Sequence, residues 1–510
     1  MPISQGTLNT SALYVPNAYI NVLAPSAQYL NGIPTNVLGL VGTASWGPVN
    51  SPVVVGTPGQ AQAVFGPIQN RLNDLSTPLN IAAQQGASNF VCVRVTDGTD
   101  TAAAIAVLTN CVTFTSKYTG SFGNGIVVTI STGSQANSYQ VVVSAPGLVP
   151  ESFNNLGSGL SGNALWLAIA AAINGGNTAF RGPSNIIVAT AGVGTTVPSL
   201  TSYTLAGGTD GVTSITTSVM LGVNTVPRTG MYALQSTGAS VALLADLSDT
   251  TSFAAQAAFG LQNGIYMIGT TPSGDTIANA VATKSSAGID SYGFKYCFGD
   301  WVYWLDTYNN VQRVVSPQGF YGGLLANLSP QNPSLNRQMQ AVIGTQKSYS
   351  NQQYAQADLQ QLVLAGIDVI ANPSPGGAYF SAQFGHNSSS NQLIHSDAYT
   401  RVTNYLAATL NAGMGQFVGQ LNSATVQGQA LATISAFLDT LQAQGVIGNA
   451  AGTTPYSVQI NAANNPPSQV ALGYLQINVQ VQYLAVVEFL IVNVQAGASV
   501  QIQSNQTIPQ

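Results

Sequence analysis

At 510 residues the chain has material for several hydrophobic cores, on the order of three or four domains. Only 5% of its residues are Asp, Glu, Lys or Arg, against about a quarter in ordinary soluble proteins, so much of its surface is expected to be covered by other subunits. The net charge of -5 comes from 11 basic and 16 acidic residues with no basic run or stripe, which argues against direct nucleic-acid binding.

The opening MPISQGTLNTSALYVP lacks a basic segment followed by an apolar core, so no secretory signal is expected. No apolar run reaches the roughly 18 residues a membrane helix needs, and the longest candidate, Leu484 to Val494, contains Glu488 and Asn493. Membrane insertion is not expected. Cys92, Cys111 and Cys297 are too widely spaced, and odd in number, for a disulfide framework or a zinc site, and read as buried apolar residues.

In chain order, residues 1 to about 25 form a polar, Pro-interrupted arm with a strand-like piece at Ala18 to Leu23. Asn36 to Thr43 is a continuous apolar run and reads as a buried strand; GTASWGPVN follows at Gly42 to Asn50. Pro52 to Gly56 and FVCVRV (Phe90 to Val95) read as strands, with helices at Gln60 to Phe65 and Leu79 to Gln85 between them. From Lys117 to Gly211 strand-rich pieces surround one helix at Ala164 to Ile173, with Asn, Gly, Ser and Thr in the connections. Gly207 and Gly208 suit a tight turn back into the surrounding pattern.

From Val212 to Asn372 the alternation resumes. Strands are expected at Val241 to Leu247, Ile265 to Gly269, Tyr292 to Phe298, Val302 to Asp306 and Ile367 to Ile370, with helices at Ser252 to Gln262, Asp275 to Ala287 and Gln353 to Ala365. Asp275 is placed as a favourable charge in a first helical turn. This order predicts a mixed or parallel sheet covered on both faces. The fold class is therefore α/β, or α+β over several domains. Trp301 and Trp304 read as packing residues rather than a sugar platform.

The last compact unit spans about Phe384 to Ala496. Val402, Tyr405, Leu406 and Leu410 recur at helical spacing, as do Leu431, Ile434, Phe437, Leu438 and Leu441. From Gly473 to Gly497, Leu475, Ile477, Val479, Val481 and Tyr483 alternate with Gln476, Asn478, Gln480 and Gln482: one apolar face, one amide face. A second strand is expected at Val487 to Val494. Val500 and Ile502 continue the alternation in a piece too short to stay folded without a host sheet. Two readings remain open here: strand donation between copies, with backbone bonds supplying affinity, and an ordinary terminal hairpin with a frayed tail.

Enzyme chemistry is not expected. His386 and His395 lie near Ser388, Ser389 and Asp397, so a hydrolytic triad or a metal pair is conceivable, but no Gly-x-Ser-x-Gly elbow presents a serine and the segment reads as a loop. There is no phosphate-binding Gly-x-x-x-x-Gly-Lys-Ser/Thr loop either, so no nucleotide-driven motor is visible. No cofactor or metal is expected.

Several motifs in order carry a family resemblance: GTASWGPVN, the helix ending Phe65-Gly66, Gly86 before FVCVRV, Ser121-Phe122-Gly123-Asn124-Gly125, LAGGTDG at Leu205 to Gly211, Phe437-Leu438 through Gly448, Asn464-Asn465-Pro466 and the two-strand stretch. Together the chain resembles the contractile tail sheath proteins of bacteriophages. The resemblance implies an N-terminal linker arm at 1–25, an α/β core from 26–116 and 212–375, an inserted β-rich peripheral domain at 117–211, a tube-facing C-terminal domain at 376–496, and a C-terminal arm at 497–510. Inter-subunit strand exchange would involve Ile20, Val22, Leu475, Ile477, Val479, Val481, Val500 and Ile502. The tube-facing element would be the Ala424 to Gln444 helix, through positions Gly428, Ser435, Asp439 and Gln442. It further implies a homo-oligomer of stacked, hexameric rings in a helical sheath in the virion, assembled in the host cytoplasm, with tail tube, baseplate and tail terminator proteins as partners. Alternatives are the sheath of a phage-tail-like bacteriocin or secretion apparatus and, in a different class, a β-rich surface or adhesion protein, whose isolated region 117 to 211 would bind a glycan or receptor.

Overall fold

The computed structural model describes residues 3–5, 20–22, 30–108, 110–494 and 496, with 3–5 and 20–22 described as backbone only. Its centre is a six-stranded sheet in the order Phe294–Cys297, Tyr266–Thr270, Val241–Leu244, Val37–Gly42, Asn89–Arg94, Val53–Val55. Neighbours run parallel except the edge strand Val53–Val55, which is antiparallel to Asn89–Arg94. The inner strands are apolar on both faces because both are covered. Helices Ser76–Gln84 and Gln318–Asn327 pack on one side, through Leu79, Ile81, Phe320 and Leu324. Phe253–Asn263 and Ile277–Ala287 cover the other, through Phe253, Ala257 and Ala280. Pairing of Val37–Gly42 with Val241–Leu244 joins chain that lies before residue 102 to chain that follows residue 211.

Between these two parts lies a β-rich unit with its own core. A four-stranded sheet (Glu151–Leu156, Tyr139–Ser144, Val127–Thr132, Ser202–Thr204) and a three-stranded one (Ile187–Ala191, Val112–Thr119, Ala102–Val107) share apolar packing with the helix Gly162–Gly175, centred on Trp166, Ile169, Phe114 and Phe153. The expected start of this unit at Lys117 falls inside the strand Val112–Thr119, and its sheet already begins at Ala102–Val107. Alternation of Ala with Val and Ile over 102–107 is too weak in apolar bulk to read as a strand unaided.

Most of the motifs from the first half of the chain converge on the junction of that unit with the central sheet. Arg94, fully buried at the end of its strand, donates to Gly47 O at 2.8 Å, Thr119 O at 2.7 Å and Asp210 O at 3.4 Å. Burial lowers its guanidinium to about 10, while Asp100 and Asp210 resist the fall. Asp210 accepts from Ser121 N–H at 2.6 Å and pairs with Arg71 at 2.5 Å. Burial opposes its charge, but these partners outweigh burial and hold the carboxyl below its usual range. Trp46 lies edge-on to Tyr118 and against Phe122, with ring centroids 5.4 and 5.3 Å away.

Two local expectations change. Asp275 stands outside its helix: Thr276 is the N-cap of Ile277–Ala287, and Asp275 accepts from the Thr276 N–H and the Asn279 side chain. A hydroxyl one residue later caps the Asn279 N–H, so the first turn starts after the carboxylate. Of Ile367 to Ile370, only Ile370 enters a ladder, as Ile370–Ala371 against Ser381–Ala382. Asp368 makes one bridge to Cys297, and its carboxylate accepts from Lys295 and from the N–H groups of Val369, Phe384 and Gly385. Those bonds bend the chain away from a longer strand. Trp301 and Trp304 are buried, their indole N–H groups donating to Thr271 O and the Gln84 side chain.

Candidate subunit interface

The C-terminal unit is two amphipathic helices, Asp397–Met414 and Ala424–Ala443, beneath a two-stranded antiparallel sheet, Tyr456–Gln459 with Asn478–Val481. Ser396 caps the first helix and Ser423 the second. Val402, Leu406, Ile434, Phe437, Leu438, Leu441 and Ile447 form its core, and Tyr456, Val458, Ile477, Val479 and Val481 pack on it half-buried. The alternate positions Asn478 and Gln480 face solvent, as the amide spacing requires. Two strands alone are marginal. The helices beneath supply the support, and the outer edges of both strands have no neighbouring strand among the described residues.

The unit is moored to the central sheet by a buried charge network. Lys295, on the edge strand, donates to Asp368 at 2.7 Å, to both oxygens of Asp397 at 3.0 and 3.1 Å, and to His386 O at 2.9 Å. Tyr266 and Ser334 hydroxyls complete the shell of Asp397. Burial opposes the Lys295 charge, yet Asp368 and Asp397 raise its pKa; burial equally opposes Asp397, and Lys295 lowers its pKa. All three side chains are 0% exposed, so each depends on the others.

After Val481 the chain departs from expectation. Val487 to Val494 lies in no ladder and is largely exposed: Phe489 is 85% and Ile491 80% accessible. Among the described residues no strand lies alongside to pair with it. A contiguous exposed apolar stretch of this kind marks an interaction surface. Its anchor is Glu488, which accepts from His386 Nε2 at 3.2 Å and from His395 Nε2 at 3.3 Å. Hydrogen bonds from His386, then His395, pull the carboxyl down to about 2. The two imidazoles stack with centroids 3.8 Å apart, at one wall of a cavity of about 1380 Å³.

The residues expected in the interface are distributed as follows. Val479 and Val481 lie in the Asn478–Val481 strand, with Leu475 and Ile477 in the segment that leads into it. Ile20 and Val22 lie in the strand Ile20–Val22, parallel to Ile3–Gln5. Val500 and Ile502 are outside the described residues. On the Ala424–Ala443 helix, Gly428 and Asp439 are exposed and Ser435 and Gln442 half-buried. Tyr456 reaches across from the sheet to donate to Asp439 at 2.5 Å. No triad assembles: among the described residues no hydrogen bond joins Ser388, Ser389 or the Asp397 carboxylate to either imidazole. The Ser388 hydroxyl instead donates to Ser291 O. Glu488 was missed at this site because it lies 93 positions beyond His395; its being the lone charge in an apolar run was the available signal.

No protein-family model and no curated protein matches the sequence. Solved structures do match over most of the chain. A sheath tail protein from Desulfitobacterium hafniense aligns with a TM-score of 0.58 at 16% identity, covering 87% of this chain and 93% of that one. One from Listeria innocua gives 0.59 at 15% identity, covering 86% and 91%. The PVC sheath of an extracellular contractile injection system, in its contracted state, gives 0.55 at 11% identity, covering 96% and 99%. The fold is therefore that of the contractile tail sheath proteins. Similar folds occur in tail sheaths and in the sheaths of contractile injection systems.

Proposed function

We propose that this chain is the structural subunit of a contractile phage tail sheath. It polymerises around a tail tube in a metastable extended lattice, whose contraction drives the tube through the host envelope for genome delivery. The observation that carries this reading is the likeness of the fold to sheath subunits over 86% to 96% of the chain. The open-edged sheet followed by an exposed apolar strand candidate adds to it.

On this reading residues 26–116 and 212–375 form the core of each subunit, 117–211 faces outward, and 376–496 faces the tube through the Gly428, Ser435, Asp439 and Gln442 stripe. Arms 1–25 and 497–510 exchange strands with neighbours. Ile20, Val22, Val500 and Ile502 are donated, and the sheet carrying Leu475, Ile477, Val479 and Val481 receives. Such arms keep effective concentration high while the subunit bodies rotate. Contraction needs no bound fuel: two packings of one folded subunit, separated by a barrier, store the work during assembly. Stacked hexameric rings, tube, baseplate and terminator partners, and a place in the virion follow from the same reading. Among the described residues no helix is long and apolar enough to cross a membrane.

Negative-stain electron microscopy of the full-length protein expressed alone tests it. Hollow helical cylinders are expected. Dispersed monomers that also fail to coat added tail tubes would overturn the reading.

A further inference from the structure

The chain has only two histidines and only two glutamates in 510 residues. Both histidines and one of the glutamates, Glu488, meet at one point, although the segments that supply them are 93 residues apart. One ring nitrogen of His386, one of His395 and a Glu488 carboxylate oxygen all lie within 4.8 Å of one another. The side chains are 7%, 20% and 22% exposed. In so poorly charged a sequence, this convergence has no counterpart in the packing needs of a loop.

We propose that His386, His395 and Glu488 form a binding site for one divalent cation of the zinc class. Imidazole and carboxylate are ligands that zinc takes in open, three-ligand sites. A tetrahedral ion with bonds of about 2.0 to 2.1 Å holds its ligand atoms about 3.4 Å apart. The two Nε2 to carboxylate distances, 3.2 and 3.3 Å, already match that spacing. Both Nε2 atoms reach the same Glu488 oxygen, and the rings stack at 28° with centroids 3.8 Å apart, so ligation requires the imidazoles to turn until both lone pairs meet at one ion. Ligation moves each ring proton to Nδ1, freeing the Nε2 lone pairs, and two N–H···O bonds are exchanged for three bonds to the ion. The cavity along which His386, His395 and Glu488 lie leaves room for water as the fourth ligand.

The plain competing account is a hydrogen-bonded pair of imidazoles on a carboxylate, with no ion. The composition makes the two accounts separable. The thiols of Cys92, Cys111 and Cys297 are buried, so the usual background ligands for zinc are few. Glu488 lies on the segment after the Asn478–Val481 strand and both histidines lie in the loop before the Asp397–Met414 helix, so the ion would fasten that segment to its own subunit.

The test is equilibrium binding of Zn²⁺ to the full-length chain, by calorimetry and by metal analysis after dialysis, with Co²⁺ as a visible-absorption probe of tetrahedral coordination. One ion per chain is expected, with a tetrahedral Co²⁺ band. Glu488→Gln and His395→Gln should each weaken binding by more than about tenfold, the loss that even an outer partner of a metal ligand can cause. Both positions are partly exposed, and circular dichroism checks that the variants fold. Absence of binding to the unmodified protein would overturn the proposal and leave the ion-free pair; so would binding that both variants retain unchanged. Neither result depends on whether the protein forms sheaths.

Discussion

Asn124 and Gly208, 84 positions apart, are locked by a reciprocal pair of hydrogen bonds: the Asn124 amide donates to Gly208 O at 3.0 Å, and the Gly208 N–H donates back at 2.8 Å. The pair ties the Ser121–Gly125 turn to the chain where it leaves the β-rich unit. A Cβ on Gly208 would stand 2.3 Å from Gly120 O, a main-chain atom with no room to yield.

Asn124→Ala is therefore expected to cost about 1–3 kcal/mol, the worth of two partly buried hydrogen bonds, and Gly208→Ala more. Urea denaturation gives the loss, and limited proteolysis should show faster cleavage at this junction. Unchanged midpoints and cleavage in both variants would mean the junction is held by other contacts.

Arg94 poses a sharper demand. Its fork spans carbonyls from three separate segments, a geometry a lysine ammonium does not reproduce. Arg94→Lys should lose about 2 kcal/mol or more, since each buried carbonyl left unpaired costs on the order of 1–3 kcal/mol. Equal thermal stability of the lysine variant would show that one contact suffices.

The Lys295, Asp368 and Asp397 network sets an acid limit. The Asp397 pKa is lowered in the folded state, so its contribution is complete above the ordinary 3.8 and drains away as pH falls through the folded value. Loosening of the C-terminal unit is expected only below about pH 4, followed by tryptophan fluorescence or hydrogen exchange. Lys295→Met, which strands two buried carboxylates, should cost about 3–5 kcal/mol at neutral pH. A stable Lys295→Met protein would refute this account of the mooring.

Assembly and folding should separate at the C-terminus. Deleting 497–510 is expected to leave the subunit folded yet abolish polymerisation, and so is the double change Phe489→Ser with Ile491→Ser, which at exposed positions should shift stability by no more than about 0.5 kcal/mol. Normal tubes from either variant by electron microscopy would exclude these segments from the subunit contacts.

Much of the fold was legible from local pattern. Continuous apolar runs such as Val37–Gly42 and Asn89–Arg94 mark strands buried on both faces, because a sheet covered by helices has no polar side to encode. The helical periods of Val402 and Leu406, and of Ile434, Phe437 and Leu441, mark the two C-terminal helices for the same local reason. The low charge carried the expectation of extensive subunit contacts. What local pattern does not contain is long-range pairing. Strand order, the meeting of Arg94 with Asp210, and the burial of Lys295 between Asp368 and Asp397 join residues tens to more than a hundred positions apart, and only the closed tertiary structure selects among the partners available. Val487 to Val494 shows the division most plainly. Its sequence determines an apolar segment fit to be a strand, but a strand exists only where another backbone lies beside it, and this chain alone provides none among the described residues. The same closure brought Glu488 onto His386 and His395: their chemistry is written in the sequence, and their meeting is decided by the fold.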